Sequence, residues 1–276
     1  IPLSEVSKAI TKDNVQINGN VSSQYISSLI LMGTHLEKGL TIELIGKITS
    51  IPYIEMTLSL LNQLGIETHF EGNTIKVLPA KQLQKQTVVV ESDWSSASYF
   101  YSVAAFSEVG SAIQLSAYKK ESLQGDSCLA EIYTHFGVET VFDQNTIILK
   151  KVREPNMGLL TLDLKNAPDI AQTIAVTCFG LGVACHLTGL HTLKIKETDR
   201  LEALEAELKK LGAVIAITNE SLSLSISEVM NTNVAVKTYN DHRMVMSAAV
   251  LSSKMETEIE SPEVVAKSFP AFWNVI

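Results

Sequence analysis

Three stretches of the chain close on one pattern of hydrophobic and polar positions. The first reads Leu60-Leu61-Asn62-Gln63-Leu64-Gly65-Ile66-Glu67-Thr68, then Gly72-Asn73-Thr74-Ile75-Lys76-Val77. The second reads Ile132-Tyr133-Thr134-His135-Phe136-Gly137-Val138-Glu139-Thr140, then Gln144-Asn145-Thr146-Ile147-Ile148-Leu149. The third reads Leu208-Lys209-Lys210-Leu211-Gly212-Ala213-Val214-Ile215, then Asn219-Glu220-Ser221-Leu222-Ser223-Leu224. Gly65, Gly137 and Gly212 stand 72 and 75 residues apart. Each ending predicts an amphipathic helix stopped by a glycine in the left-handed cap. A strand, a polar turn and a second strand follow.

The fronts also match. Ser22-Ser23-Gln24, Ser95-Ser96-Ala97 and Pro168-Asp169-Ile170 each precede a largely apolar helical run. A glycine and a β-rich stretch such as Leu40-Thr41-Ile42-Glu43-Leu44 come next. The unit is helix, strand, helix, strand, strand. A fourth front begins at Asn240-Asp241-His242-Arg243. Repeats this long and this few predict a compact α/β fold with helices packed inside sheets. The polar stretch from Pro79 to Gln86 is a candidate domain boundary.

Composition narrows the classes. The chain has 276 residues, 46% of them hydrophobic, enough for one large or two smaller cores. Its formal charge of −8 argues against general nucleic-acid binding. Cys128, Cys178 and Cys185 lack metal-ligand spacing and read as reduced thiols of a cytoplasmic protein. The uncharged stretch from Ile170 to Leu193 is long enough to span a bilayer. Its Gln172, His186, His191 and glycines predict a buried helix followed by a buried strand instead.

Candidate chemistry gathers at helix starts. In Lys196-Glu197-Thr198-Asp199-Arg200, Thr198 is expected to cap a helix beginning at Asp199, with Leu201, Leu204, Leu208 and Leu211 as its apolar stripe. Lys196 and Arg200 oppose the helix dipole there, at about 0.3–1 kcal/mol each in exposed settings. Either the end is solvated, or cations and free amides together hold an anion. Glu197, packed among such charges, could then exchange protons. Arg243 breaks the same rule at the next helix start, with His242 beside it and Asn240 or Asp241 as cap. Two such violations point to one shared anionic ligand. Asp169 is a candidate N-cap or a base whose pKa bound anions would raise. Ser22, Ser23 and Gln24 offer two hydroxyls and an amide at another start. Gln124-Gly125-Asp126 is a further candidate cap, with a helix running from Asp126 to His135. Lys267 reads as a surface residue.

With these residues in view, the chain resembles the EPSP synthases, the 3-phosphoshikimate 1-carboxyvinyltransferases. The resemblance runs from about Val15 to the C-terminus. It rests on SSQ at Ser22, SxPY at Ser50, SSASYF at Ser95, QGD at Gln124, PDxAxT at Pro168, KETDR at Lys196, YNDHRM at Tyr239 and AKSFP at Ala266. It implies a two-domain fold of βαβαββ units closing around the substrates. Here 1–91 would be the end part of one domain and 92–276 most of the other. It implies transfer of the enolpyruvyl group of phosphoenolpyruvate to the 5-hydroxyl of shikimate 3-phosphate, with no metal or organic cofactor, no membrane or nucleic-acid partner, and a monomer when full length.

The resemblance also implies roles. Ser22, Ser23, Ser50, Tyr53, Lys196 and Asp169 would contact shikimate 3-phosphate. Gln24 would touch both substrates. Thr192 would contact shikimate 3-phosphate where the family often has Asn. Asp169 would be a base, Glu197 the proton-transfer carboxylate, and Arg200, Arg243 and Lys267 the phosphoenolpyruvate cations, with His242 beside them. The family's amino-terminal Lys-Ser-x-x-x-Arg segment and Gly-rich NxGT loop have no counterpart here, so about two of six units are expected to lie outside the chain, which alone would be inactive. The rival readings are the related transferase acting on UDP-N-acetylglucosamine and a non-catalytic anion-binding fragment.

Overall fold

The computed structural model describes residues 13–81, 83 and 85–276. The chain divides into two compact units, Ile1–Val90 with Leu123–Gly125, and Glu91–Ser122 with Asp126–Ile276.

In the first unit the order is β1 (Asn14–Asn18), α1 (Ser23–Gly33), β2 (Leu40–Ile45), α2 (Ile51–Gln63), β3 (Thr68–Glu71) and β4 (Thr74–Val77). The sheet order is β1-β2-β4-β3, with β1 and β2 parallel and the rest antiparallel. Alternation decides which face is buried. Leu40, Ile42 and Leu44 of β2 point inward against Ile26 and Ile30 of α1 and Ile54, Leu58 and Leu61 of α2. A strand, a helix and a parallel neighbour place both helix starts at one sheet edge. Gly19 N donates to Ile45 O at 2.9 Å and Thr49 N to Gly19 O at 3.1 Å, so the two loops leading to α1 and α2 touch.

The second unit repeats this plan. It begins with α3 (Trp94–Phe106), β5 (Ala112–Ser116), α4 (Leu129–Ile132), β6 (Val138–Asp143) and β7 (Thr146–Lys151). A full repeat follows: β8 (Leu160–Asp163), α5 (Ala171–Leu181), β9 (Cys185–Thr188), α6 (Arg200–Lys210), β10 (Val214–Ile217) and β11 (Leu222–Ser225). Its sheet, β8-β9-β11-β10, has the order and directions of the first unit's sheet. The sheet β5-β7-β6 reproduces the last three strands of that order. The pair β12 (Ala235–Val236) and β13 (Glu258–Ile259), parallel and separated by α7 (His242–Val250), reproduces its start. Among the described residues no strand lies between β4 and α3, and Ser92 reaches the end of β5, its N donating to Ala117 O at 2.7 Å and its hydroxyl to Ser116 O at 3.0 Å.

Helices α3, α5 and α7, each first in its repeat, are buried along nearly their whole length. Small hydroxyls let them approach. Ser98 donates to Thr173 at 3.0 Å, and Ser102 lies 2.7 Å from Thr177 and 2.9 Å from Tyr133. Each buried hydroxyl thereby keeps a partner. On α6, Leu201, Leu204, Leu208 and Leu211 are at most 2% exposed, a stripe contributing about 1.5–3 kcal/mol per side chain.

Gly65, Gly137 and Gly212 all take positive φ, at 85°, 79° and 97°. At Gly137 a Cβ would lie 1.9 Å from Arg153 O, so both conformation and space demand glycine. One expectation changes here. The helix expected from Asp126 to His135 is a 3-10 turn, Gly125–Cys128, followed by the single α turn of α4. The buried Asp126 carboxylate accepts from the Ser95 hydroxyl. The buried helix and strand expected within Ile170–Leu193 are α5 and β9. Among the described residues no helix is long and apolar enough to cross a membrane.

Candidate functional site

Parallel strand pairs send their following helices out from the same edge, and the chemistry sits there. In the first unit this edge carries Ser22, Ser23 and Gln24 at the start of α1 and Ser50 and Tyr53 at the start of α2. Neither Ser22 nor Ser50 makes a side-chain cap bond, although each occupies an N-cap position. Ser50 adopts φ 53° and ψ 38°, a left-handed conformation unusual for a non-glycine residue. Ser27 Oγ, one turn into α1, and Thr57 Oγ1, nearly two turns into α2, lie 2.9 Å apart.

In the second unit four helix starts converge. Arg200, the first residue of α6, is 1% exposed. Its Nε donates to Asp241 Oδ2 at 2.7 Å, its Nη1 to Asp169 Oδ1 at 3.0 Å and its Nη2 to Glu197 Oε2 at 2.7 Å. Lys196 Nζ lies 3.3 Å from Asp169 Oδ1, and Arg243 Nη2 lies 3.5 Å from Asp169 Oδ2. Arg243 Nη2 also donates to Ser95 Oγ at 3.3 Å, at the start of α3. The two cationic helix starts thus share one anionic partner, the carboxylate of Asp169.

That arrangement resolves the dipole conflict at α6. The carboxylates of Asp169, Glu197 and Asp241 surround Arg200 and offset both its burial and its position at an electropositive helix end. The caps differ from expectation. Asp199, not Thr198, caps α6, accepting from Glu202 N at 3.1 Å. Asp241 caps α7, accepting from Arg243 N at 2.8 Å. Asp93 caps α3, accepting from Ser95 N and Ser96 N. Asp169 caps nothing. It lies in the 3-10 turn Pro168–Ile170 ahead of α5, leaving its carboxylate to the cations.

The raised pKa expected for Asp169 applies beside bound anions, and the unliganded arrangement holds it low instead. Burial pushes it up, but Arg243, Lys196 and Arg200 outweigh burial and hold it at about 2. The same contest favours charge on Arg243. Burial opposes it, while Asp169, Tyr99, Asp126 and Asp93 raise its pKa. Tyr99 is pushed up to about 12 by burial, although Arg243 and Arg200 pull the other way. His242 is lowered, first by burial and then by Arg243, so its imidazole is neutral near pH 7. Its buried Nδ1 makes no hydrogen bond among the described residues and lies 3.9 Å from Glu197 Oε1.

Lys267 is exposed as expected, at the end of the 3-10 turn Pro262–Lys267, and its Nζ donates to Asn240 O at 2.6 Å. This ties it to the loop that leads into α7. Thr192 is buried in the 3-10 turn His191–Ile195, and its hydroxyl makes no hydrogen bond among the described residues. Among the described residues no group of three or more His, Cys, Asp or Glu side chains is placed to hold a metal ion. The structure adds Ser95, Tyr99, Asp126 and Asp241 to the group around Arg200 and Arg243. Of these, Asp241 stood out as a cap and Asp126 lay in a candidate cap motif, and the partnerships link residues far apart in the chain.

Against this geometry, the profile of the family "EPSP synthase (3-phosphoshikimate 1-carboxyvinyltransferase)" matches residues 3–276. The chain belongs to this family. A 3-phosphoshikimate 1-carboxyvinyltransferase of Bacteroides fragilis strain YCH46 is 40% identical over 276 residues, covering 99% of this chain and 67% of the relative. One of the same name from Shewanella pealeana is 32% identical and is 63% covered. Among solved structures, EPSP synthase from Acinetobacter baumannii superposes with a TM-score of 0.70 at 21% identity, covering 94% of this chain and 61% of that one. The enolpyruvyl transferase NikO from Streptomyces tendae reaches 0.65 at 11% identity, covering 95% and 62%. These structures establish the enolpyruvyl transferase fold. The chain spans about two thirds of the length of the EPSP synthases it matches.

Proposed function

We propose that the full-length protein transfers the enolpyruvyl group of phosphoenolpyruvate to the 5-hydroxyl of shikimate 3-phosphate, releasing inorganic phosphate. The observation that carries this reading is the convergence of Lys196, Arg200 and Arg243 on Asp169 within a family of such transferases. The hydroxyl oxygen adds to C2 of phosphoenolpyruvate while C3 gains a proton. Loss of one proton from C3 with departure of phosphate from C2 restores the double bond in the product.

The residues divide the work. Arg200, Arg243 and Lys267 hold the carboxylate and phosphate of phosphoenolpyruvate, and Gln24 reaches both substrates. Ser22, Ser23, Ser50, Tyr53, Thr192 and Lys196 hold shikimate 3-phosphate. Glu197, the most exposed carboxylate around Arg200, moves the proton at C3, and neutral His242 beside it relays protons. Asp169 receives the substrate hydroxyl. Its three cationic neighbours keep it a weak base in the unliganded site. Anionic substrates that engage those cations raise its pKa and make it a base when a hydroxyl is present.

The chain alone, at about two thirds of its relatives' length, is proposed to be inactive. Phosphate release by the full-length protein that requires both substrates supports the reading, and release from neither order of addition refutes it. The cytoplasm is the proposed location, and a monomer the proposed state.

A further inference from the structure

A buried carboxylate outside the site lies towards the far end of α6. Glu207 lies seven residues after Arg200, two turns along the same helix face and about 10 Å away. It is 3% exposed, yet it is a carboxylate. Its Oε2 accepts from Lys237 N at 2.9 Å, its Oε1 accepts from Tyr239 OH at 2.7 Å, and Lys210 Nζ pairs with it as well. Two of these partners belong to the segment that runs from β12 into α7.

That segment is strained. Tyr239 and Asn240 sit consecutively in the left-handed region, at φ 53° and 56°. Non-glycine residues hold such a conformation only where their surroundings impose it. The strain has a geometric product. Directly after it come Asp241, which caps α7 and binds Arg200 Nε, then His242 and Arg243, while Asn240 O receives Lys267 Nζ. Three groups placed at the proposed phosphoenolpyruvate site, His242, Arg243 and Lys267, follow or touch this one turn, and Arg200 is tied to it through Asp241.

We propose that Glu207 is a positioning residue. Through Lys237 N and Tyr239 OH it clamps the Thr238–Asn240 turn and so sets Arg243, His242 and Lys267 relative to Arg200 on the same helix. The inference rests on the enolpyruvyl-transfer reading. It assigns Glu207 no contact with substrate. A buried ion pair with Lys210 alone would serve stability, but it would not require the carboxylate to accept from the backbone and hydroxyl of the turn as well.

The test uses Glu207→Gln and Tyr239→Phe in the full-length protein. In Glu207→Gln the KM for phosphoenolpyruvate is expected to rise about tenfold, and in Tyr239→Phe about threefold. The KM for shikimate 3-phosphate moves less than twofold in either. The double variant is no worse than Glu207→Gln, because both act through one contact. A purely structural role lowers the folded fraction, which reduces kcat and leaves KM alone. An unchanged KM for phosphoenolpyruvate in both variants therefore overturns the proposal. Hydrogen exchange of the Lys237 amide gives a reading independent of turnover. The amide should exchange at least tenfold faster in Glu207→Gln, and equal protection overturns the clamp. A wild-type protein silent with both substrates refutes the functional reading while leaving the exchange result to decide the clamp.

Discussion

Replacing Asp169 with Asn removes the one carboxylate shared by Lys196, Arg200 and Arg243. Its folded pKa is held at about 2 against an ordinary 3.8. The linkage between that depression and stability is about 2.5 kcal/mol. The sign follows from which state binds the proton more tightly. The folded pKa is depressed, so the contribution is fully present above about pH 4 and fades as pH falls towards 2. At pH 7 Asp169→Asn should therefore be less stable than the wild type by about 2–3 kcal/mol, and the gap should close between pH 4 and pH 2. Urea unfolding followed by tryptophan emission reads the right unit, because Trp94 and Trp273, the two tryptophans of the chain, both lie in it. Equal midpoints at pH 7, or a gap that does not shrink on acidification, would refute the electrostatic account of this cluster.

Other expectations follow from single contacts. Glu197→Gln should lower kcat by at least about a hundredfold and change each KM by less than about threefold, since a proton-transfer role costs 10²–10⁴ in rate; steady-state kinetics on the full-length protein checks it. Gly137→Ala places a methyl 1.9 Å from Arg153 O at φ 79° and should cost more than about 2 kcal/mol. Gly65→Ala, with open space around its Cβ, should cost only the left-handed penalty of about 1–2 kcal/mol. Thermal melts of the two variants compare these costs. Gln172 is fully buried and neither of its amide atoms has a partner among the described residues, so Gln172→Leu should stabilise by about 1–2 kcal/mol; a lower urea midpoint would contradict this.

The repeat was legible because its signals are local. A glycine at a helix end, an alternating strand and a polar turn recur within a dozen residues, and the folded units match them strand for strand. The cationic helix starts were legible for the same reason, since a cation against a helix dipole shows in five consecutive residues. Their partners were not. Arg200 meets Asp241 across 41 positions, and Arg243 meets Ser95 across 148. Nothing local to either residue marks those pairings, which arise only when the starts of α3, α6 and α7 come together. Capping failed in detail for a related reason. Thr198 and Asp199 are both good caps by type, and tertiary packing placed the helix start one residue later than expected. The depressed pKa of Asp169 in the unliganded site was not legible, because the cations around it come from distant parts of the chain. The interrupted helix around Asp126 was hidden by a sequence that is helical in pattern, while its carboxylate is drawn to Ser95.

The reading of function stands most directly on the products of one reaction. Full-length protein given shikimate 3-phosphate and phosphoenolpyruvate, followed by phosphorus and proton resonance, should release inorganic phosphate and form one vinyl ether on the 5-hydroxyl in equal amounts, with neither substrate sufficing alone. Absence of the vinyl ether, phosphate release from phosphoenolpyruvate by itself, or the same product chemistry on UDP-N-acetylglucosamine in place of shikimate 3-phosphate would contradict it.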